Sequence, residues 1–144
     1  MARRTDPRDA PDFETRRERA LAIHERLCPH YGCPIEYFNR LDPLEELVSS
    51  FLNHRTRNRD AKRAYEALRA RFPTWEEVRD ADENEIVETI AGVRWPEMKA
   101  PRLKTILTLI GERRGRLDLD HLAEMSVTDA RAWLEELPDR KSVV

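Results

Sequence analysis

Asp42-Pro43-Leu44-Glu45-Glu46-Leu47-Val48-Ser49-Ser50-Phe51-Leu52-Asn53 is the stretch on which the fold turns. Leu44, Leu47, Val48, Phe51 and Leu52 fall at i, i+3, i+4, i+7 and i+8. That spacing marks one face of an α-helix and excludes the alternation of a half-buried strand. Asp42 offers a carboxylate N-cap. Pro43 suits the first helical position, where an N–H would have no intrahelical acceptor. The segment predicts a helix from Pro43 and places its apolar face at the centre of the core.

Downstream, the polar run Asn53–Asn58 interrupts, and Asn58 is expected to cap a second helix with Ala61, Ala64, Tyr65 and Leu68 on its buried face. Phe72-Pro73 ends it. Thr74 and Glu77 have capping-box spacing and predict a short helix. Asp82–Ala91 carries Ile86, Val87 and Ile90, with Gly92 as a left-handed terminator. A further helix starts near Pro101, or a turn earlier, and bears Leu103, Ile106, Leu107 and Ile110; Gly111 or Gly115 weakens its end. Leu117, Leu119, Leu122 and Met125 line a loop or short helix. Ser126 with Asp129 offers another capping box, and the last helix carries Trp133, Leu134 and Leu137 before Pro138 stops it.

Upstream, Ala20, Ile23 and Leu27 share a helical face that begins at Glu14 and is expected to end at Cys28-Pro29. Residues 1–13 mix charges with two prolines and read as a disordered tail; 14–144 reads as one helical domain. No strand pattern and no fixed-period repeat interrupts the series, so the fold class is all-α.

The totals agree. Of 144 residues, 40% are hydrophobic and 38% charged, so the core must come from narrow stripes covered by long charged side chains. Four glycines are few for a sheet protein that needs many tight turns. The net charge of −2 excludes a polycation, and nucleic-acid affinity must come from local patches. Apolar runs of a few residues exclude a membrane-spanning helix, and the polar N-terminus has no signal-peptide core. The two cysteines are too few for a disulfide scaffold, so a reducing cytoplasm is the default.

Three segments carry candidate chemistry. Cys28-Pro29-His30-Tyr31-Gly32-Cys33, with His24 a turn earlier, gathers metal-capable side chains, but the cysteine spacing is only loosely zinc-like. Two semi-buried thiols and no metal are expected. Residues 54–71 set Arg55, Arg57, Arg59, Lys62, Arg63, Arg69 and Arg71 against Asp60 and Glu66, a balance of +5. Residues 99–116 set Lys99, Arg102, Lys104, Arg113, Arg114 and Arg116 against Glu112, again +5. Glu76–Glu88 is acidic, so charge is segregated. Basic faces are the electrostatic footprint of phosphate binding, or else plain solvated helix surface. The third segment is Leu137-Pro138-Asp139-Arg140-Lys141-Ser142-Val143-Val144, a helix stop and a short basic tail.

Taken in order, Asp42–Asn58, Lys99-Ala100 with Ile106, Leu107 and Ile110, and Arg131-Ala132-Trp133-Leu134-Glu135-Glu136-Leu137-Pro138 resemble the endonuclease III family of helix-hairpin-helix DNA glycosylases. The first is similar to that family's core helix and lesion-side loop. The second is similar to its "SKA…I" helix, and the third to the lead-in of its "LPGVGxK(T/S)" hairpin. The resemblance covers roughly residues 20 to 141. It implies an orthogonal multi-helical bundle corresponding to the six-helix barrel part of the glycosylase fold, with the second lobe incomplete. Asp139 stands where the family has Gly-Val-Gly, and the expected chain is C-terminally truncated. It lacks the intact hairpin, the catalytic aspartate and the four-cysteine iron–sulfur loop, so no cofactor is expected.

The resemblance further implies a base-excision-repair protein, a DNA N-glycosylase or abasic-site lyase that acts on damaged or abasic duplex DNA in the cytoplasmic nucleoid. Activity would be reduced or lost by truncation. Asn53, His54, Arg55, Thr56, Arg57, Arg59 and Arg140 are the implied DNA-binding residues, and Lys141 matches the catalytic lysine. Arg55 matches the residue that fills the gap left by a flipped base. The alternative is a non-catalytic helical module that binds DNA or a protein partner.

Overall fold

The computed structural model describes residue 8 and residues 10–33 and 41–138. Seven α-helices and one 3₁₀ turn account for most of them, and no strand occurs among the described residues. The chain is an all-α bundle, as the periodicity requires. It divides into two compact units, one up to residue 40 and one from Leu41.

The first unit holds α1 (Phe13–Tyr31). The helix does not stop at Cys28-Pro29 as expected; it runs through Pro29 for two more residues. A proline removes one helical hydrogen bond, and so close to the end little ladder remains to lose. The cysteines also depart from expectation: Cys28 and Cys33 are joined as a disulfide rather than left as thiols.

The second unit begins with α2 (Pro43–Asn53), and the whole predicted stripe, Leu44, Leu47, Val48, Phe51 and Leu52, is buried. Each such side chain contributes about 1.5–3 kcal/mol on burial. Asp42 and Glu45 form a reciprocal capping box. α3 (Asn58–Arg71) contributes Ala61, Ala64 and Leu68 to the core. Asn58 is its first helical residue and not its cap; Arg57 occupies that position, and no side chain caps α3. α4 (Trp75–Asp80) starts at the Thr74–Glu77 capping box, and Asp82 caps α5 (Glu83–Thr89). Gly92 is not left-handed; the chain turns instead through Trp95, at φ +56.

α6 (Pro96–Arg114) starts a turn before Pro101 and contains it. Lys99, Ala100, Leu103, Ile106, Leu107 and Ile110 form its buried face. It packs against α4 and α5, while α3 packs against α2 and α5. Gly115, at φ +73, ends it in the left-handed conformation that glycine adopts without steric cost. A 3₁₀ turn (Asp120–Glu124) and α7 (Val127–Glu135), capped by Ser126, complete the unit. Leu119 and Leu137 close onto the same core.

Candidate nucleic-acid interface

The loop between α2 and α3 is a type II turn. His54 has φ −55 and ψ +120, Arg55 has φ +52, and Thr56 N donates to Asn53 O at 3.0 Å. The third residue of such a turn needs a positive φ, which glycine meets freely and other residues meet at a cost of roughly 1–2 kcal/mol. Here that residue is Arg55, exposed at the tip. Residues held in sparsely populated conformations cluster at functional sites, because the surroundings must over-determine them.

Lys99 supplies that constraint. It is buried, and its Nζ donates to Leu52 O at 2.9 Å, His54 O at 2.8 Å and Thr56 Oγ1 at 3.2 Å. All three ammonium N–H groups are thereby used. The turn's carbonyls point inward and its arginine outward. Burial pulls the Lys99 amine down to about 8, so it stays largely protonated at neutral pH. Thr56 Oγ1 also accepts from Arg94 N at 3.0 Å and donates to His54 O at 3.3 Å. The α2–α3 turn and the α5–α6 turn are thus bound to one hydroxyl.

The expected DNA-binding residues fall into two groups. Asn53 ends α2, exposed, and its carbonyl closes the turn. His54 and Thr56 are half-buried and hold the turn's shape. Arg55, Arg57 and Arg59 are exposed. Among the described residues Arg55 and Arg57 have no ion-pair partner, and Arg59 meets only Asp60, at 3.9 Å. Arg57 stands directly before an uncapped helix whose first N–H groups favour an anion. Arg140 and Lys141 lie outside the described residues, as does Asp139.

The second basic stretch differs, because most of its cations meet acceptors within the fold. Lys99 is buried under the loop. Lys104 Nζ donates to Ala81 O. Arg113 pairs with Glu136 at 2.9 Å, and Arg114 and Arg116 share Asp118. Each of these five cations therefore donates within the fold.

Two residues of this surface escape a reading of charge and motif. Arg94 places its guanidinium 4.7 Å over the Trp95 ring, and Trp95 is left-handed and 41% exposed. An exposed aromatic beside a cation is a stacking platform for bases. The Trp95-Pro96 pair in a short inter-helix segment was the available signal. Lys99 had one too: it lies at i−4 from Leu103 and i−7 from Ile106, on the apolar stripe of α6.

No family model matches the chain. It is 33% identical over 130 residues to an Arabidopsis thaliana protein named "Putative DNA glycosylase At3g47830". The likeness points to the DNA glycosylases. The alignment takes in 86% of this chain and 44% of that plant protein, so the chain spans less than half the length of this glycosylase-named relative. Among the described residues no helix is long and apolar enough to cross a membrane.

Proposed function

We propose that this chain is the duplex-gripping part of an endonuclease III-like base-excision-repair protein that acts on damaged or abasic DNA. The observation that carries this reading is Arg55, held left-handed at the tip of a turn whose inner face is locked by Lys99. A long planar cation fixed outward on a rigid turn suits insertion into a base stack, where it fills the place of a flipped nucleotide. Arg57 and Arg59, with the N-terminus of α3, hold the flanking phosphates. Trp95 and Arg94 offer a second stacking surface on the neighbouring turn.

In the chemical step, the Lys141 amine attacks the sugar C1′ of an abasic site and loses water to form a Schiff base. β-Elimination then breaks the bond to the 3′ phosphate. Arg140 beside it contacts a phosphate. These two roles rest on the sequence around Leu137-Pro138 alone.

Borohydride trapping on an abasic-site duplex tests the step. A covalent adduct that disappears in Lys141→Ala is expected. No adduct, or one that survives that substitution, removes Lys141 from the mechanism. Duplex binding without an adduct leaves the non-catalytic module, with a steep salt dependence and no incision.

A further inference from the structure

The first unit contains a cluster that the DNA reading does not use. His24 and Cys28 lie four residues apart on α1, so their side chains leave the same face one turn apart. The helix stops at Gly32, whose N–H donates to Cys28 O at 2.8 Å and whose φ is +85. That left-handed residue turns the chain back on itself and returns Cys33 to Cys28, with a Cα–Cα distance of 5.2 Å. His24 Nε2 then lies 3.2 Å from Cys28 Sγ and 3.9 Å from Cys33 Sγ. The three candidate donor atoms are all within 4.8 Å of one another.

A disulfide needs no imidazole at its side, because its sulfurs are weak acceptors and carry no charge. Two thiolates and an imidazole, by contrast, are the donors a borderline-soft d¹⁰ cation selects. We propose that, with the disulfide reduced, His24, Cys28 and Cys33 bind one zinc-class cation, and that the Cys28–Cys33 bond is the closed form of this site.

The chemistry balances through a thiol reductant. Two equivalents of thiol reduce the Cys28–Cys33 bond to two cysteine thiols and leave as a disulfide. Zn²⁺ then displaces both thiol protons to solvent. Two thiolates and a neutral His24 Nε2 make a charge-neutral centre. Zinc–sulfur bonds of about 2.3 Å in tetrahedral geometry set the sulfurs roughly 3.8 Å apart. Rotation about the two cysteine Cα–Cβ bonds supplies that widening without moving the backbone. His24 and Cys33 are exposed, so water completes the fourth position. Such a site binds metal only in the reduced chain and releases it on oxidation.

The test is a Co²⁺ titration of the full chain, followed by Zn²⁺ competition, with the chain either reduced and held anaerobic or left oxidised. The reduced chain is expected to bind one Co²⁺ with a thiolate-to-metal charge-transfer band that zinc abolishes; the oxidised chain is expected to show none. Cys28→Ser and Cys33→Ser should each reduce that band. His24→Ala should weaken binding by at least about tenfold, since even outer-shell partners of a metal ligand carry that much. Far-ultraviolet circular dichroism verifies that each variant keeps its helix. No band in the reduced chain overturns the proposal, as does equal binding by the oxidised chain. Undiminished affinity in His24→Ala overturns the three-ligand site. None of these readouts depends on DNA binding.

Discussion

Residues 54–71 and residues 99–116 carry the same formal charge and use it in opposite ways. The first stretch sets seven cations against two carboxylates, the second six against one. In the first, Arg55, Arg57 and Arg63 stand in solvent, while Arg69 lies 4.1 Å over the Trp75 ring and Arg71 pairs with Glu85. In the second, Lys99, Lys104, Arg113, Arg114 and Arg116 all meet acceptors within the fold. A charge count cannot separate a binding face from a structural one; the position of carbonyls and carboxylates does. The two regions also depend on each other, because a cation of the second holds the turn that displays the first.

The largest effect expected from breaking that arrangement is at Lys99. Lys99→Met leaves two carbonyls and a hydroxyl without their donor, at a cost of about 2–3 kcal/mol in urea denaturation. Affinity for abasic duplex should fall with it, although Lys99 is itself buried. Unchanged stability in this variant would mean that the turn is not held from below.

Arg55 gives the next effect and separates display from fold. Arg55→Ala should weaken abasic-duplex binding by about 1–3 kcal/mol, the range of a stacking contact, with a smaller loss on intact duplex. Arg55→Gly should lose the same affinity and yet gain about 1 kcal/mol of stability, because glycine accepts the positive φ. A variant that is less stable than the parent would refute the strained-turn account.

Salt dependence then compares the two stretches directly. Arg57→Ala should lower the slope of log K against log salt by about 1, whereas Arg113→Ala and Arg116→Ala should leave it unchanged. Equal changes in all three would erase the distinction drawn between the regions.

The smallest effect is on pH. His121 packs edge-on against Trp133 at 4.8 Å, and both its ring nitrogens are buried without a hydrogen-bond partner among the described residues. Burial and then the Arg114 guanidinium hold the imidazole below its ordinary 6.5, against the opposing pull of Asp118, Asp120 and Glu124. Between the folded value and 6.5 only the unfolded chain takes the proton. Stability therefore falls as pH drops through about 6.5 and levels off once the folded imidazole also titrates. His121→Phe should flatten that part of the denaturation profile.

Much of the fold was legible because its signals are local. The α2 stripe, the Asp42–Glu45 and Thr74–Glu77 boxes and the Ser126 cap each depend on residues a few positions apart. What escaped depends on distance or on local backbone geometry. Pro29 reads as a helix boundary, yet it sits inside α1, and Pro101 sits inside α6, which takes the earlier of the two starts that the sequence left open. For Pro101, the buried face of α6 on both sides of it outweighs one lost hydrogen bond. Arg55, Arg57 and Arg59 read as cations of the loop and of the helix N-terminus that follows it, and all three are exposed there. The constraint on their turn was not legible, because its acceptors lie more than forty residues from Lys99. The Cys28–Cys33 bond was missed because five-residue spacing alone does not specify the left-handed turn at Gly32 that closes it.

The Thr56 hydroxyl has a consequence for how this surface opens. It receives Arg94 N and Lys99 Nζ and gives its own proton to His54 O, so one oxygen joins the end of α2 to the start of α6. The exchange protection of the Arg94 amide should therefore follow the α2–α3 turn and not its own short connection. The recognition turn then behaves as part of the same cooperative unit as α6, and releases only when that unit does.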